Sequence, residues 1–165
     1  MSEENKTPKL AIIASKGTLD QAYPPLILAT AAASMDWDVA IFFTFYGLDI
    51  IKKGKADKLK VAPVGNPAMP KPKFMPINVP NILGVLPGMT PFATWMMNRW
   101  MKNANVAKLS ELLEMAVDMD VRLIACQMTM DVLGIKKEDL IDGIEVGGAA
   151  TFLEFAKGAD VTLFI

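Results

Sequence analysis

The chemically informative stretch of this chain is RLIACQMTMDVLG (122–134), because Cys126 is the single cysteine among 165 residues and no histidine accompanies it. A lone thiol can serve as a nucleophile or carry a transferred group. It cannot form an internal disulfide, and a chain with one cysteine suits a reducing compartment. The missing histidines remove Ser-His-Asp and Cys-His catalysis, whose base is absent. They also remove the common nitrogen- and sulfur-rich sites for zinc, copper and iron, so no metal and no cofactor is expected. Chemistry here therefore rests on what surrounds one sulfur.

Three turns are expected to meet at one sheet edge. Cys126 ends an apolar run, VRLIAC (121–126), and QMTMD follows at once as a helix start. The free N–H groups and positive dipole end of that helix would favour a thiolate and lower its pKa from about 8.5. Position alone supports two readings of this thiol, buried packing and a reactive sulfur. SKGTLDQ (15–21) offers Ser15, Lys16 and the amide of Gly17, and GGAAT (147–151) opens a helix behind Gly147 and Gly148. Each is an anion-binding signal at a strand end, where open parallel sheets bind ligands. Gln127 and Thr129 are candidate hydrogen-bond donors to the sulfur, and Asp131 is expected to cap or neutralise the helix start. Neither a Walker loop nor a full GxGxxG fingerprint occurs, which argues against nucleotide phosphates.

The elements that position these turns alternate. LAIIAS (10–15) and DVAIFFTF (38–45) are short apolar runs of the kind that parallel strands need when both faces are covered, and VRLIAC, the brief IEV (144–146) and DVTLFI (160–165) are expected as three further strands. Between them, an Ala-rich helix is expected over 18–35, with Pro24 and Pro25 near its first turns. GLDIIKKG (47–54) suggests a short helix closed by Gly54. In NVAKLSELLEMAVDM (105–119), Leu109, Leu112, Leu113 and Ala116 follow helical spacing. A short helix is expected over 129–133. In GGAATFLEFAKG (147–158), Ala149, Phe152, Leu153 and Ala156 are expected to share one helix face. The pattern predicts an α/β fold: a three-layer, doubly wound, mainly parallel five-stranded sheet with helices on both faces.

Composition sets the remaining limits. The length fits a single domain, 1–165. Hydrophobic residues make up 52% and charged residues 21%, and mean hydropathy is +0.31. A net charge of -1 gives no reason to expect nucleic acid. The polar N-terminus lacks the apolar core of a signal peptide. An irregular Pro- and Met-rich insertion occupies about 61–102. Its segment 74–98 is uncharged and long enough to span a bilayer, yet Pro76, Pro80, Pro87 and Pro91 argue against one regular spanning helix. The insertion is expected to be a lid over the thiol or a subunit contact, with membrane docking through PFATWMMNRWMKN (91–103) the lesser alternative.

The segments SKGTLDQAYPPLILATAAA, FFTFYGLDIIKKG, ACQMTMDVLGI and GGAATFLEFAKGADVTLFI resemble the DsrE/DsrF-like proteins, in particular the longer apolar branch found beside sulfur-oxidation genes. That resemblance runs from about residue 10 to 165. It implies a cytoplasmic sulfur carrier or sulfurtransferase, free or peripheral at the membrane, with a persulfide or thiosulfonate on Cys126. It also implies TusA-like carriers, rhodanese-like sulfurtransferases and heterodisulfide-reductase-like complexes as partners, and a homo-oligomer such as a trimer or hexamer. Some relatives carry a second cysteine; this chain does not, so no resolving thiol lies within the subunit. Two other function classes stay open on the residues: a cysteine-independent module for a small anion or nucleotide, and an assembly or membrane-docking subunit acting through the insertion.

Overall fold

The computed structural model describes residues 7–62 and 87–165. The chain divides into two compact units. The larger takes the chain up to Gly17, Gln21–Leu59 and Lys108–Ile165; the smaller takes Thr18–Asp20 and Lys60–Ala107.

A five-stranded sheet, all parallel among the described residues, organises the larger unit. Its strands are β1 (Lys9–Ala14), β2 (Asp38–Phe43), β3 (Arg122–Cys126), β4 (Glu145–Gly147) and β5 (Val161–Phe164), in the order β4-β3-β2-β1-β5. The chain steps outward from β1 to β4 and then returns across the sheet to β5. Because parallel crossovers are right-handed, that reversal moves the last helix to the other face. The expected doubly wound α/β architecture is what forms.

The apolar runs become central strands because both faces are covered. Along β1, β2 and β3 the residues Ala11, Ala40, Phe42, Ile124 and Cys126 form one buried cluster with Phe152 and Phe155 of helix α5 (Ala149–Ala156). Phe42 and Phe152 stack with ring centroids 5.2 Å apart. The alternate residues Ile12, Ile41, Phe43, Leu123 and Ala125 point to the opposite face and are equally buried. That face belongs to α1 (Leu19–Ala33) and α3 (Leu109–Asp118) by the handedness of their crossovers.

The α3 stripe behaves as its spacing dictates: Leu109, Leu112, Leu113 and Ala116 are its buried residues. Each fully buried leucine is worth about 1.5–3 kcal/mol relative to exposure. Helix α5 departs from expectation, since Phe155 is buried and Leu153 is 62% exposed. The sheet is reached by the bulky rings at i and i+3, which leaves the intervening leucine outside. In α1, Pro24 and Pro25 occupy the sixth and seventh positions, in its second turn. They remove two backbone donors from the second turn, a cost offset by burial of Ala22, Leu26 and Ala29 at 0% exposure. The expected helix at 129–133 starts two residues earlier, as α4 (Gln127–Leu133). The expected helix over 47–54 is a tighter 3-10 turn, Phe45–Ile50.

In the smaller unit, α2 (Met89–Asn103) occupies part of the sequence expected to be irregular. None of its residues is fully buried, Trp95 is exposed, and Arg99 lies over the Trp95 ring at 5.7 Å. Within the insertion, residues 63–86 lie outside the described residues. Among the described residues, no helix is long and apolar enough to cross a membrane.

Candidate functional site

Cys126 is both the last residue of β3 and the residue from which α4 starts, with φ -68° and ψ 111°. Its neighbour across the sheet is Gly147, paired with it in the β3–β4 register. The side chain points into the face covered by α5 and is 5% exposed.

Two hydroxyls converge on this sulfur. Thr129 lies in the first turn of α4 and is 2% exposed, the one fully buried polar side chain among the described residues. Thr44 ends the β2 run. Their Oγ1 atoms are 3.1 Å apart, and the N–H of Phe45 donates to Thr129 Oγ1 at 3.2 Å. Burial opposes ionisation of Cys126, but the Thr129 and Thr44 hydroxyls and the backbone N–H groups of Thr129 and Met128 outweigh it and hold the thiol below its ordinary pKa. The helix start thus acts through specific N–H and O–H donors as well as through its dipole.

The Phe45 turn that supplies one of these donors has an unusual backbone. Phe45 has φ 44°, in the left-handed region that a bulky residue rarely adopts. Its shape is fixed by the crossing of two glycine turns. A Cβ on Gly17 would lie 2.1 Å from the carbonyl oxygen of Tyr46, and one on Gly47 would lie 2.1 Å from the carbonyl oxygen of Ala14. The N–H of Thr44 donates to the Ala14 carbonyl at 3.0 Å, and that of Gly47 to the Ser15 carbonyl at 3.2 Å.

This packing reassigns several residues expected to bind an anion. The Ser15 hydroxyl and N–H both donate to the Ile165 carbonyl, at 3.0 and 2.8 Å, so Ser15 secures the end of β5. Gly17 serves close backbone packing, as does Gly47. Lys16 is exposed in the same turn. Gly148 is the N-cap of α5 with an extended backbone that any residue adopts. A Cβ on Gly147 would meet Ile124 and Thr151 at 3.2 Å. Gln127 turns outward and donates from its amide to Asp131 at 2.8 Å, which also occupies the acid expected to cap the helix. Of the predicted residues, Thr129 bears on the sulfur and Gly147 flanks it in register.

Thr44, Phe45 and the Met128 amide were missed. Their one sequence signal is a hydroxyl that closes the buried run IFFT, which becomes meaningful only once β2 and β3 are neighbours. Among the described residues no group of three or more His, Cys, Asp or Glu side chains could hold a metal. An open groove of about 550 Å³ lies elsewhere, lined by Lys53, Lys137, Glu138 and Glu145 among others. Its lining includes none of the groups that act on the sulfur.

Comparison with known proteins adds a family to this geometry. The family model described as DsrE/DsrF/DrsH-like matches residues 6–164. The chain is 49% identical over 157 residues to the sulfur carrier protein DsrE2 of Allochromatium vinosum, covering 95% of this chain and 98% of that protein. It is 35% identical over 175 residues to the uncharacterized protein YrkE of Bacillus subtilis, covering all of both. Among solved structures it is similar to YchN of E. coli, with TM-score 0.60 and 17% identity over 96% of this chain and all of that one. The protein of unknown function MTH1491 from Methanobacterium thermoautotrophicum follows at TM-score 0.52 and 10% identity, over 94% and 98% of the two chains. The structural likeness speaks to the fold, and the sequence match to descent: this chain belongs to the DsrE/DsrF/DrsH-like family.

Proposed function

We propose that this protein is a sulfur carrier that holds its cargo on Cys126, as a persulfide or thiosulfonate, and passes it between proteins. The observation that carries the reading is the sulfur's environment: a thiol 5% exposed whose pKa is nevertheless drawn down by hydroxyl and amide donors. A thiol buried only for packing gains nothing from such donors. The 49% identity to a protein named as a sulfur carrier supports the same role.

Loading from a persulfide donor is a displacement at sulfur. The Cys126 thiolate attacks the outer sulfur of the donor, a new S–S bond forms, the donor's S–S bond breaks, and the donor leaves as a thiolate. With tetrathionate the same attack leaves a thiosulfonate on Cys126 and expels thiosulfate. In both cases the negative charge leaves Cys126 and ends on the departing sulfur. Unloading repeats the step with a partner's thiolate as nucleophile.

TusA-like carriers, rhodanese-like sulfurtransferases and heterodisulfide-reductase-like complexes are the partners this chemistry suits, in a cytoplasmic setting. A homo-oligomer is the proposed assembly, because Val132, Leu153 and Phe164 are 74%, 62% and 73% exposed and apolar surface of this kind marks contacts. Intact mass after incubation with tetrathionate, or with a persulfidated carrier, tests the central reading. Wild type should gain the thiosulfonate or one sulfur atom and Cys126→Ser should gain neither. A wild-type protein with no added mass from either donor would overturn the proposal.

A further inference from the structure

We infer that Thr44 is a positioning residue for the sulfur, and that it works with Thr129 as one two-hydroxyl chain in which either oxygen can present the donor. This deepens the proposed carrier role and rests on it, since the hydroxyls matter to transfer only if Cys126 carries the cargo.

The argument is a count of hydrogens. Thr129 Oγ1 accepts from the Phe45 N–H at 3.2 Å and lies 3.1 Å from Thr44 Oγ1, with either hydroxyl able to donate to the other. Each hydroxyl has one hydrogen and two acceptor sites. One of the two hydrogens is spent between the oxygens, so one remains for the sulfur of Cys126, the N-cap of the helix whose first turn carries Thr129 and buried like it. If Thr129 donates to sulfur, Thr44 donates to Thr129, whose oxygen is then saturated by Phe45 N–H and Thr44. If Thr44 donates to sulfur, Thr129 donates to Thr44, and Phe45 N–H still holds the Thr129 oxygen. Both arrangements satisfy every group, and both give the sulfur one hydroxyl donor polarised by the other.

The surroundings are built for this pair. Thr129 is 2% exposed, so its hydroxyl is held in place among protein groups. The Phe45 N–H is presented from a backbone at φ 44°, which costs about 1–2 kcal/mol for an L residue and persists because the Gly17 and Gly47 crossing holds the turn. The hydroxyl of Thr44 comes from β2 and that of Thr129 from α4, 85 residues apart in sequence. A donor shared between two elements keeps its aim on the sulfur when either one shifts.

A chain of this kind predicts redundancy, which a double-mutant cycle reads directly. The measurement is the pH midpoint of iodoacetamide reaction at Cys126 in wild type, Thr44→Val, Thr129→Val and the double variant, with thermal melting alongside. Each single variant keeps one hydroxyl able to reach the sulfur. It should raise the midpoint by less than about 0.5 unit, whereas the double variant should raise it by about 1–2 units, the worth of a hydrogen bond to a charged group. Thr44→Ser should restore the wild-type midpoint. Equal, additive shifts from the two singles would mean two independent donors and overturn the chain. Should the double variant not fold, Thr44→Val decides alone: a full unit or more means that Thr129 does not take over, and the proposal fails. Loss of sulfur loading in wild type would sink the carrier reading while leaving this cycle interpretable, so the two failures are distinguishable.

Discussion

Gly17 and Tyr46 approach so closely that a methyl group at residue 17 would sit 2.1 Å from the Tyr46 carbonyl oxygen. Backbone cannot yield as a flexible side chain does, so the contact fixes the turn after β1 against the turn after β2. Gly17→Ala is expected to cost about 1–3 kcal/mol in urea unfolding, the usual range for forced overpacking. It should also slow alkylation of Cys126, because the displaced turn carries Thr44 and the Phe45 N–H. Gly47→Ala should act similarly, and the two together should cost less than their sum, since they open the same crossing. A Gly17→Ala protein with wild-type stability and reactivity would show that the crossing relaxes freely.

The lowered Cys126 pKa has a definite sign. The thiolate is favoured by folding, so its contribution to stability is complete above the unfolded thiol value of about 8.5 and is lost as pH falls through the lower folded value. The melting temperature of wild type minus that of Cys126→Ser should therefore rise with pH across this window and be flat below it. Iodoacetamide should react with a midpoint below that of an unstructured cysteine peptide. A midpoint at or above the peptide's would contradict the donor set described for this sulfur.

Arg122 and Glu145 join the starts of β3 and β4 through two hydrogen bonds, at 2.6 and 2.9 Å. The pairing lowers the Glu145 pKa, chiefly through the Arg122 hydrogen bonds, with burial opposing. Both side chains are about 40% exposed, so screening limits the pair to less than about 1 kcal/mol. Glu145→Gln should lose that amount at neutral pH. The gap to wild type should close as pH falls through the folded Glu145 value, and also when salt is raised. A gap that persists in acid would assign the effect to packing of β4 and not to charge.

The proposed homo-oligomer can be probed at residues that a single copy leaves outside. Leu153→Lys and Val132→Lys should change monomer stability by less than about 0.5 kcal/mol, because both side chains are mostly exposed. At least one should lower the mass measured by light scattering, from a multiple of 18.0 kDa. A wild-type protein that is a monodisperse monomer at micromolar concentration would defeat the oligomer.

Much of this architecture was legible because it depends on local pattern. The helical spacing of Leu109, Leu112, Leu113 and Ala116 required a buried stripe whatever lay opposite, and the apolar runs of β1, β2 and β3 required a parallel sheet covered on both faces, whereas the β5 run stays largely exposed. Cys126 was legible as a strand end followed by a helix start. What escaped depends on pairs far apart in sequence. Thr44 gains its role only beside Thr129, and Gly17 only beneath Tyr46; neither partner can be read from spacing. Leu153 and Phe155 differ for another reason. Both suit an apolar helix face, and the stacking of Phe152 on Phe42 fixes the rotation that buries Phe155.

Because Cys126 belongs to a strand on one side and a helix on the other, its α-carbon is pinned from both directions. Its side chain retains one soft torsion, about the Cα–Cβ bond, with three staggered settings. In the proposed carrier role, cargo that lengthens this side chain has to be accommodated at that bond, because the backbone on both sides is held. Loading should then be visible as a change of χ1 at residue 126 while the backbone of β3 and α4 stays in place.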